Sequence, residues 1–392
     1  QGYPVTLVEM DSQLGGHARH LRKTWRGENV RAFLKDLVAR VQGHDRVKVC
    51  LNAKVEKVAG FMGNYQTDVR IGEDGTAKTL TVAHGVAILA TGAHPTDPNE
   101  YLRGQHPGVL VWHELEDAVE SGRLDEAQCA VFIQCVGSRE PDRPYCSKIC
   151  CTYSIQQAIA LKEARPEMDV FILFRDIRTY GQREELYQKA RDLGIIFIRY
   201  STRSRPEVEV DRNGRLRLLV QDQTLQRPIT LSPDVITLAT AMETRGVETL
   251  AQMFKVSVNA DRFFAEAHPK LRPVDFATDG VFLCGLAHYP KPLEESIAQA
   301  QAAVSRAITL LSQKQIQTSG QVARVSPAKC SACGVCVTIC PFSAPAFNDR
   351  GVAEVNQALC KGCGLCVASC RSGAVDLRGF EDKQIFAMID EV

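Results

Sequence analysis

The stretches CSACGVCVTICP at residues 330–341 and CKGCGLCVASCR at 360–371 set eight cysteines into two copies of one spacing, C-x2-C-x2-C-x3-C. This is the spacing of thiolates that wrap a pair of 4Fe-4S cubanes, three ligands coming from one run and the fourth from the other. Cys330, Cys333, Cys336 and Cys370 are therefore expected to hold one cluster, and Cys360, Cys363, Cys366 and Cys340 the other. Zinc prefers four ligands in two C-x2-C pairs, and a disulfide framework belongs to short secreted chains, so both alternatives fit poorly. Arg371 stands where a proline follows the first run, a position that shapes the turn and supplies no ligand.

Outward from that module, the chain is long, with 392 residues, enough for about two or three domains. A net charge of +1 gives no basis for a nucleic-acid partner. Apolar stretches such as 86–90 and 281–283 are far too short for a transmembrane segment. Of the 15 cysteines, eight have cluster spacing and must stay reduced, so the expected compartment is cytoplasmic. The chain opens on Gln1 and is expected to be a fragment, or the later part, of a longer polypeptide.

Residues 5–9 (VTLVE) read as a strand ending in an acid, with Gly15 and Gly16 shortly after. In a dinucleotide-binding βαβ unit an acid so placed binds ribose hydroxyls, and Glu9 fits that role; the strand and G-x-G-x-x-G turn that belong before it are not in the sequence. Residues 47–58 read as strand, turn and strand, with Val55 against the cofactor. Residues 86–92 (VAILATG) run into a small-residue turn at Thr91 and Gly92. Residues 280–285 (GVFLCG) form a strand that enters a helix over 290–303, whose amino end can face a flavin or phosphate. Gly285, Leu286 and Ile297 are the expected contacts there, and Lys291 the expected hydrogen-bond donor or charge near the flavin ring, its alternative being a solvent-exposed lysine; His288 and Tyr289 share the turn. These pieces resemble the thioredoxin-reductase type of α/β flavoprotein, with two Rossmann-like dinucleotide-binding domains, one inserted in the other.

The insertion is expected over 108–242. Its first strand, at 130–134, continues not into glycines but into Cys135, then Cys146, Cys150 and Cys151 before a helix over 152–164. Four thiolates around one strand-to-helix turn suffice for a third cluster, while a set of structural thiols with a redox-active pair fits the spacing equally. Cys50, Cys129 and Cys284 lie in or beside apolar strands and read as core residues. The expected layout is a first part of the FAD domain at 1–107, the insertion at 108–242, the FAD domain's return at 243–312, a linker at 313–326, a bacterial-type double-cluster ferredoxin domain at 327–376 and a tail at 377–392.

The combination of QCVGSR, PYCSKICC, GVFLCG, PKPLEESIAQA and the double-cluster module resembles the flavoprotein A-subunit of heterodisulfide reductases and its bacterial relatives. The resemblance covers nearly the whole chain. It implies that Cys135, Cys146, Cys150 and Cys151 hold an unusual 4Fe-4S cluster near an FAD. It further implies an oxidoreductase subunit that passes single electrons between flavin and partner iron-sulfur subunits, with ferredoxin, a hydrogenase or an NADH-linked module as donor; some members bifurcate electrons. The sequence departs from the family in lacking an amino-terminal cysteine region and the glycine turn, and in running from Ile71 through Asp74 and Gly75 to Leu80 as a hairpin without an inserted ferredoxin. Two rivals are an NAD(P)H-dependent flavoprotein of the glutamate synthase small-subunit type, against which the absent second glycine fingerprint speaks, and a wiring half with an empty flavin site.

Overall fold

The computed structural model describes residues 1–72, 75, 77–315 and 320–391. Asp74 of the expected hairpin, 316–319 of the expected linker and Val392 of the tail lie outside the described residues.

The first and third segments of the chain build one domain around two separate pairs of parallel strands. Val5–Val8 pairs with Val47–Cys50, the helix Val30–Gln42 making the crossover. That helix starts where Asn29 caps it, the Asn29 side chain accepting from the Ala32 N–H at 2.9 Å. Far along the chain, Val281–Leu283 pairs in parallel with Ala87–Leu89, with Val281 opposite Ala87. A three-stranded antiparallel meander, Ala53–Phe61, Asn64–Ile71 and Lys78–His84, covers one side. The helix Leu293–Leu311 follows the last strand and buries Ala303 and Ala307 beneath it. Among the described residues, Val5–Val8 and Ala87–Leu89 each have a partner on one edge only. Val5 is 50% exposed and Ile88 37%, unusual values for apolar residues of parallel strands, which are normally covered on both sides.

The insertion is a five-stranded parallel sheet, in the order Ile196–Arg199, Asp169–Phe174, Cys129–Val136, Val235–Thr240, Val109–Val111. Its strands read as continuous apolar runs because helices cover one face, among them Trp112–Glu120 and Cys150–Ala164, and a three-stranded sheet over 207–231 covers the other. Phe132, Ile133 and Ile155 are fully buried here, each contributing on the order of 1.5–3 kcal/mol. The chain enters by Val109–Val111 and leaves by Val235–Thr240, which are neighbours with Ile236 opposite Val109.

In the carboxy-terminal module two short helices, Val335–Ile339 and Leu365–Ala368, each follow the first two cysteines of a run and carry the third, Cys336 and Cys366, and two antiparallel strand pairs flank them. One pair joins Ala323–Val325 to Val375–Leu377, so residues 323–325, expected in the linker, belong to the module. Burial of Ala323 and Val375 against Cys366 explains why a short strand forms there. The helix Glu184–Asp192 follows a single 3-10 turn at Gly181–Arg183. Cys50 and Cys284 are buried as core residues, whereas Cys129 is only half-buried. No helix among the described residues is long and apolar enough to cross a membrane.

Candidate functional site

A cavity of about 1960 Å³ lies between the two strand pairs, walled by both Val5–Val8 and Ala87–Leu89. Glu9, Gly15, Gly16, Val55, Thr91, Gly92, Leu286 and Lys291 all line it, so the structure brings together residues up to 282 positions apart. Gly285 and Ile297 are not among the lining residues; Gly285 instead accepts from Lys291, and Ile297 faces outward at 38% exposure. Glu9 holds its carboxylate at the strand end, where it accepts from the Asp11 N–H at 2.9 Å. Gly15 is at φ 117°, and a Cβ there would meet Leu34 Cδ2 at 2.9 Å, so both backbone and packing demand glycine.

Lys291 is buried, not solvent-exposed. Its ammonium donates to the carbonyls of Gly285 (2.6 Å) and Tyr289 (2.7 Å). Burial, reinforced by the neighbouring Lys148, pushes its pKa down to about 8. His288 shares a hydrogen bond with Gln299 at 2.7 Å, and Tyr289 packs on Phe263 with centroids 5.1 Å apart.

Sequence reading missed a second set of cavity residues. His17 sits with ring centroids 5.7 Å from His94 and 6.3 Å from Trp112, and His20 lies 5.3 Å from His113. Both His17 ring nitrogens are buried without a hydrogen-bond partner of good geometry, although the Ala93 backbone is close, and burial pushes the ring's pKa down to about 4. Thr152 and Thr240, also lining the cavity, have buried hydroxyls without partners among the described residues. A large, mainly apolar cavity with a few polar groups in its wall is the form of a cofactor site. Only the two glycines before His17 carried a signal in the sequence; the other residues are single and far apart.

The second centre is the cysteine loop of the insertion. Cys135 ends the strand Cys129–Val136, Cys150 and Cys151 open the helix Cys150–Ala164, and Cys146 lies in the loop between. The four thiols are electrostatic neighbours of one another. A hydrogen bond between Cys150 and Cys151 holds Cys151 down to about 7 and pushes Cys150 up, and burial pushes Cys135 up to about 11. Cys150 lines the large cavity, while Cys151 Sγ faces the Asp176 carbonyl at 3.8 Å. The Lys148 N–H donates to Cys146 Sγ at 3.4 Å.

In the carboxy-terminal module the thiols around Cys366 are Cys360, Cys340 and Cys363, and those beside Cys336 are Cys330 and Cys333. Backbone N–H groups already point at sulfur: Ala323 to Cys360 (3.3 Å), Ala344 to Cys340 (3.4 Å) and Ala374 to Cys370 (3.3 Å). Such bonds are how a protein holds and tunes thiolate-ligated clusters. Among the described residues no three His, Cys, Asp or Glu side chains close on a single metal ion; a cubane, whose four thiolates bind different irons, does not require that. The module is fastened to the cavity domain by Lys361 on Asp279 and by Lys255 Nζ on the Phe342 carbonyl at 3.3 Å.

Two parallel-sheet domains, one inserted in the other, followed by an iron-sulfur module: this is the frame of a two-domain flavoprotein reductase extended by a ferredoxin. Its fold is that of thioredoxin reductases from T. acidophilum (TM-score 0.51, 14% identity, 79% of this chain and 90% of that one) and Lactococcus lactis (0.52, 15%, 79% and 91%). A family model described as a 4Fe-4S binding domain matches residues 323–346. In sequence, the chain is 41% identical over 265 residues to a heterodisulfide reductase A-subunit-like protein of Archaeoglobus profundus, and 38% over 292 residues to the A-subunit of the H(2):CoB-CoM heterodisulfide,ferredoxin reductase of Methanothermobacter marburgensis. The A-subunit of the H(2)/formate:CoB-CoM heterodisulfide,ferredoxin reductase of Methanococcus maripaludis matches across 100% of the chain and 74% of its own length at 28% identity. The chain belongs to the heterodisulfide reductase A-subunit family. The matches cover 66% and 69% of the chain but only 37% and 44% of the first two relatives' length.

Proposed function

We propose that the chain is the flavin- and iron-sulfur-carrying electron-transfer part of a heterodisulfide-reductase-like oxidoreductase. The observation that carries this reading is Cys150, which belongs to the four-thiol group and also lines the large cavity, so the two candidate centres share a wall. FAD in the cavity would supply exchange between two-electron and one-electron chemistry, with 4Fe-4S clusters as one-electron relays.

The chain's own residues divide the work. Glu9 offers a carboxylate to ribose hydroxyls, and Gly15, Gly16, Thr91 and Gly92 bring backbone close to the cofactor. His17, Thr152 and Thr240 line the same cavity, and Lys291 holds a cation against its wall. Cys135, Cys146, Cys150 and Cys151 hold one cluster, and the two crossed sets of the ferredoxin module hold two more; Cys340 among the thiols of the other run supports the crossing. Val5–Val8 and Ala87–Leu89, each paired on one edge only among the described residues, both wall the cavity and are suited to an added parallel strand whose glycine turn would complete the pyrophosphate site. Partners are other iron-sulfur or flavin subunits in the cytoplasm, with ferredoxin, a hydrogenase or an NADH-linked module as donor.

Anaerobic iron and flavin quantitation on the full-length polypeptide, with EPR after dithionite reduction, tests this. About twelve irons and one FAD follow from three cubanes and a complete flavin site. About eight irons reject the cluster at Cys135–Cys151, and absence of FAD favours the wiring half.

A further inference from the structure

We infer that Arg139 is a positioning residue for the cysteine centre of the insertion, donating an N–H···S hydrogen bond from its free Nη1 to the Cys135 sulfur. The inference rests on the reading that Cys135, Cys146, Cys150 and Cys151 hold a cluster. Arg139 Nη2 is committed to Asp176 Oδ2 at 2.7 Å, and among the described residues Nη1 is buried without a hydrogen-bond partner of good geometry, one of four such guanidinium nitrogens. The Asp176 carboxylate and the Cys135 thiol are the side chains that this guanidinium meets. The nearest chemistry for the idle N–H is thus a sulfur that becomes an anionic acceptor once deprotonated.

The backbone is built to keep the guanidinium there. Cys135 (φ 62°), Arg139 (φ 60°) and Lys148 (φ 58°) all adopt the left-handed conformation that side chains avoid, three such residues in one loop. Arg175, itself buried, clamps the loop by donating to the carbonyls of Cys135 (2.9 Å), Ser138 (3.0 Å) and Arg139 (3.1 Å). Ser147 ties the far side, sharing a hydrogen bond with Ser138 at 2.7 Å and accepting from the Met242 N–H at 3.0 Å. Charge is arranged in the same sense. Asp176 is shared by Arg139, Arg199 and Arg178, and Glu140 by Arg175 and Arg205, the last also 4.0 Å from Glu100, so five guanidinium groups divide three carboxylates near the thiols. That surplus suits an anionic thiolate-ligated centre, and a donor on its sulfur raises its reduction potential.

EPR-monitored redox titration of the full-length polypeptide, with iron counted in each sample, compares the parent with Arg139→Met and Asp176→Asn. The expected result is unchanged iron, a midpoint potential of the insertion's centre moved negative in Arg139→Met and positive in Asp176→Asn, and unmoved ferredoxin clusters. Full iron with no shift, or shifts of the same sign, overturns the role of Arg139. Should Arg139→Met lose four irons, Asp176→Asn decides alone: a positive shift upholds the proposal and an unmoved potential overturns it. A parent holding only about eight irons rejects the centre itself, an outcome distinct from failure of the arginine's role.

Discussion

Lys148 Nζ lies 3.4 Å from Glu295 Oε2, an ion pair that joins the cysteine loop of the insertion to the first turn of the helix Leu293–Leu311. Glu295 also accepts from the Tyr180 hydroxyl and lies 3.7 Å from Arg183, so one carboxylate ties three residues of the inserted domain to the cavity domain.

Glu295→Ala is expected to lower stability by about 1 kcal/mol in urea unfolding, and Lys148→Met by less, because both charges are about a third exposed and screened. Burial opposes the Glu295 charge, but Tyr180, Lys148 and Arg183 prevail and hold its pKa below the usual glutamate value. The contribution is therefore complete above the unfolded pKa of about 4.3 and is lost as pH falls through the lower folded value. The difference between parent and Glu295→Ala is expected to shrink over that acid range; a constant difference contradicts the pairing.

Gly15→Ala places a side chain at φ 117° and against Leu34. A loss of about 1–3 kcal/mol is expected from the conformation alone, read as a lower midpoint in thermal or denaturant unfolding. Gly16→Ala, where a Cβ meets nothing within 4 Å, separates backbone strain from packing and is expected to cost less.

His17 gives a pH signature of opposite origin. Its folded pKa, about 4, lies below the unfolded value because burial penalises the charged ring. The unfolded chain thus binds a proton between about pH 6.5 and 4 that the folded chain refuses, and stability falls as pH drops through that window, by a total of about 3 kcal/mol. Tm measured against pH is expected to lose this slope in His17→Phe; an unchanged slope rules out burial of the neutral ring.

Ser372 Oγ lies 3.5 Å from Cys370 Sγ in the ferredoxin module. With the sulfur ligating as a thiolate, the hydroxyl donates, and such bonds raise a cluster's potential. Ser372→Ala is expected to leave iron content unchanged and to move one ferredoxin cluster negative in a redox titration, leaving its neighbour in place.

Much of this was legible because the chemistry fixes local spacing. Cysteines that must wrap a cubane recur at set intervals, and the strands Val5–Val8, Ala87–Leu89 and Val281–Leu283 are short apolar runs followed by small or charged residues. The exposed reading of Lys291 failed because a lysine on a turn looks the same whether its ammonium meets water or the Gly285 carbonyl. The ring cluster of His17, His94 and Trp112 was invisible for a different reason: its members are isolated in sequence and meet only when the insertion docks on the cavity domain. Arg139 was likewise hidden, since one arginine in a polar loop shows neither its left-handed backbone nor its idle nitrogen. Residues 323–325 read as linker because a three-residue strand is shorter than any reliable periodicity.

The pairing of Val281 with Ala87 has a kinetic consequence. Those strands are nearly two hundred residues apart, and bringing them together through a disordered loop would delay assembly through its closure entropy. The insertion is a continuous stretch with its own core, so it can condense first. Its entry and exit strands then lie side by side, with Ile236 opposite Val109, and the long loop shrinks to a short one. The discontinuous domain is thereby set to form last, around a neighbour already folded, and the cavity wall shared through Cys150 becomes a late product of the folding order.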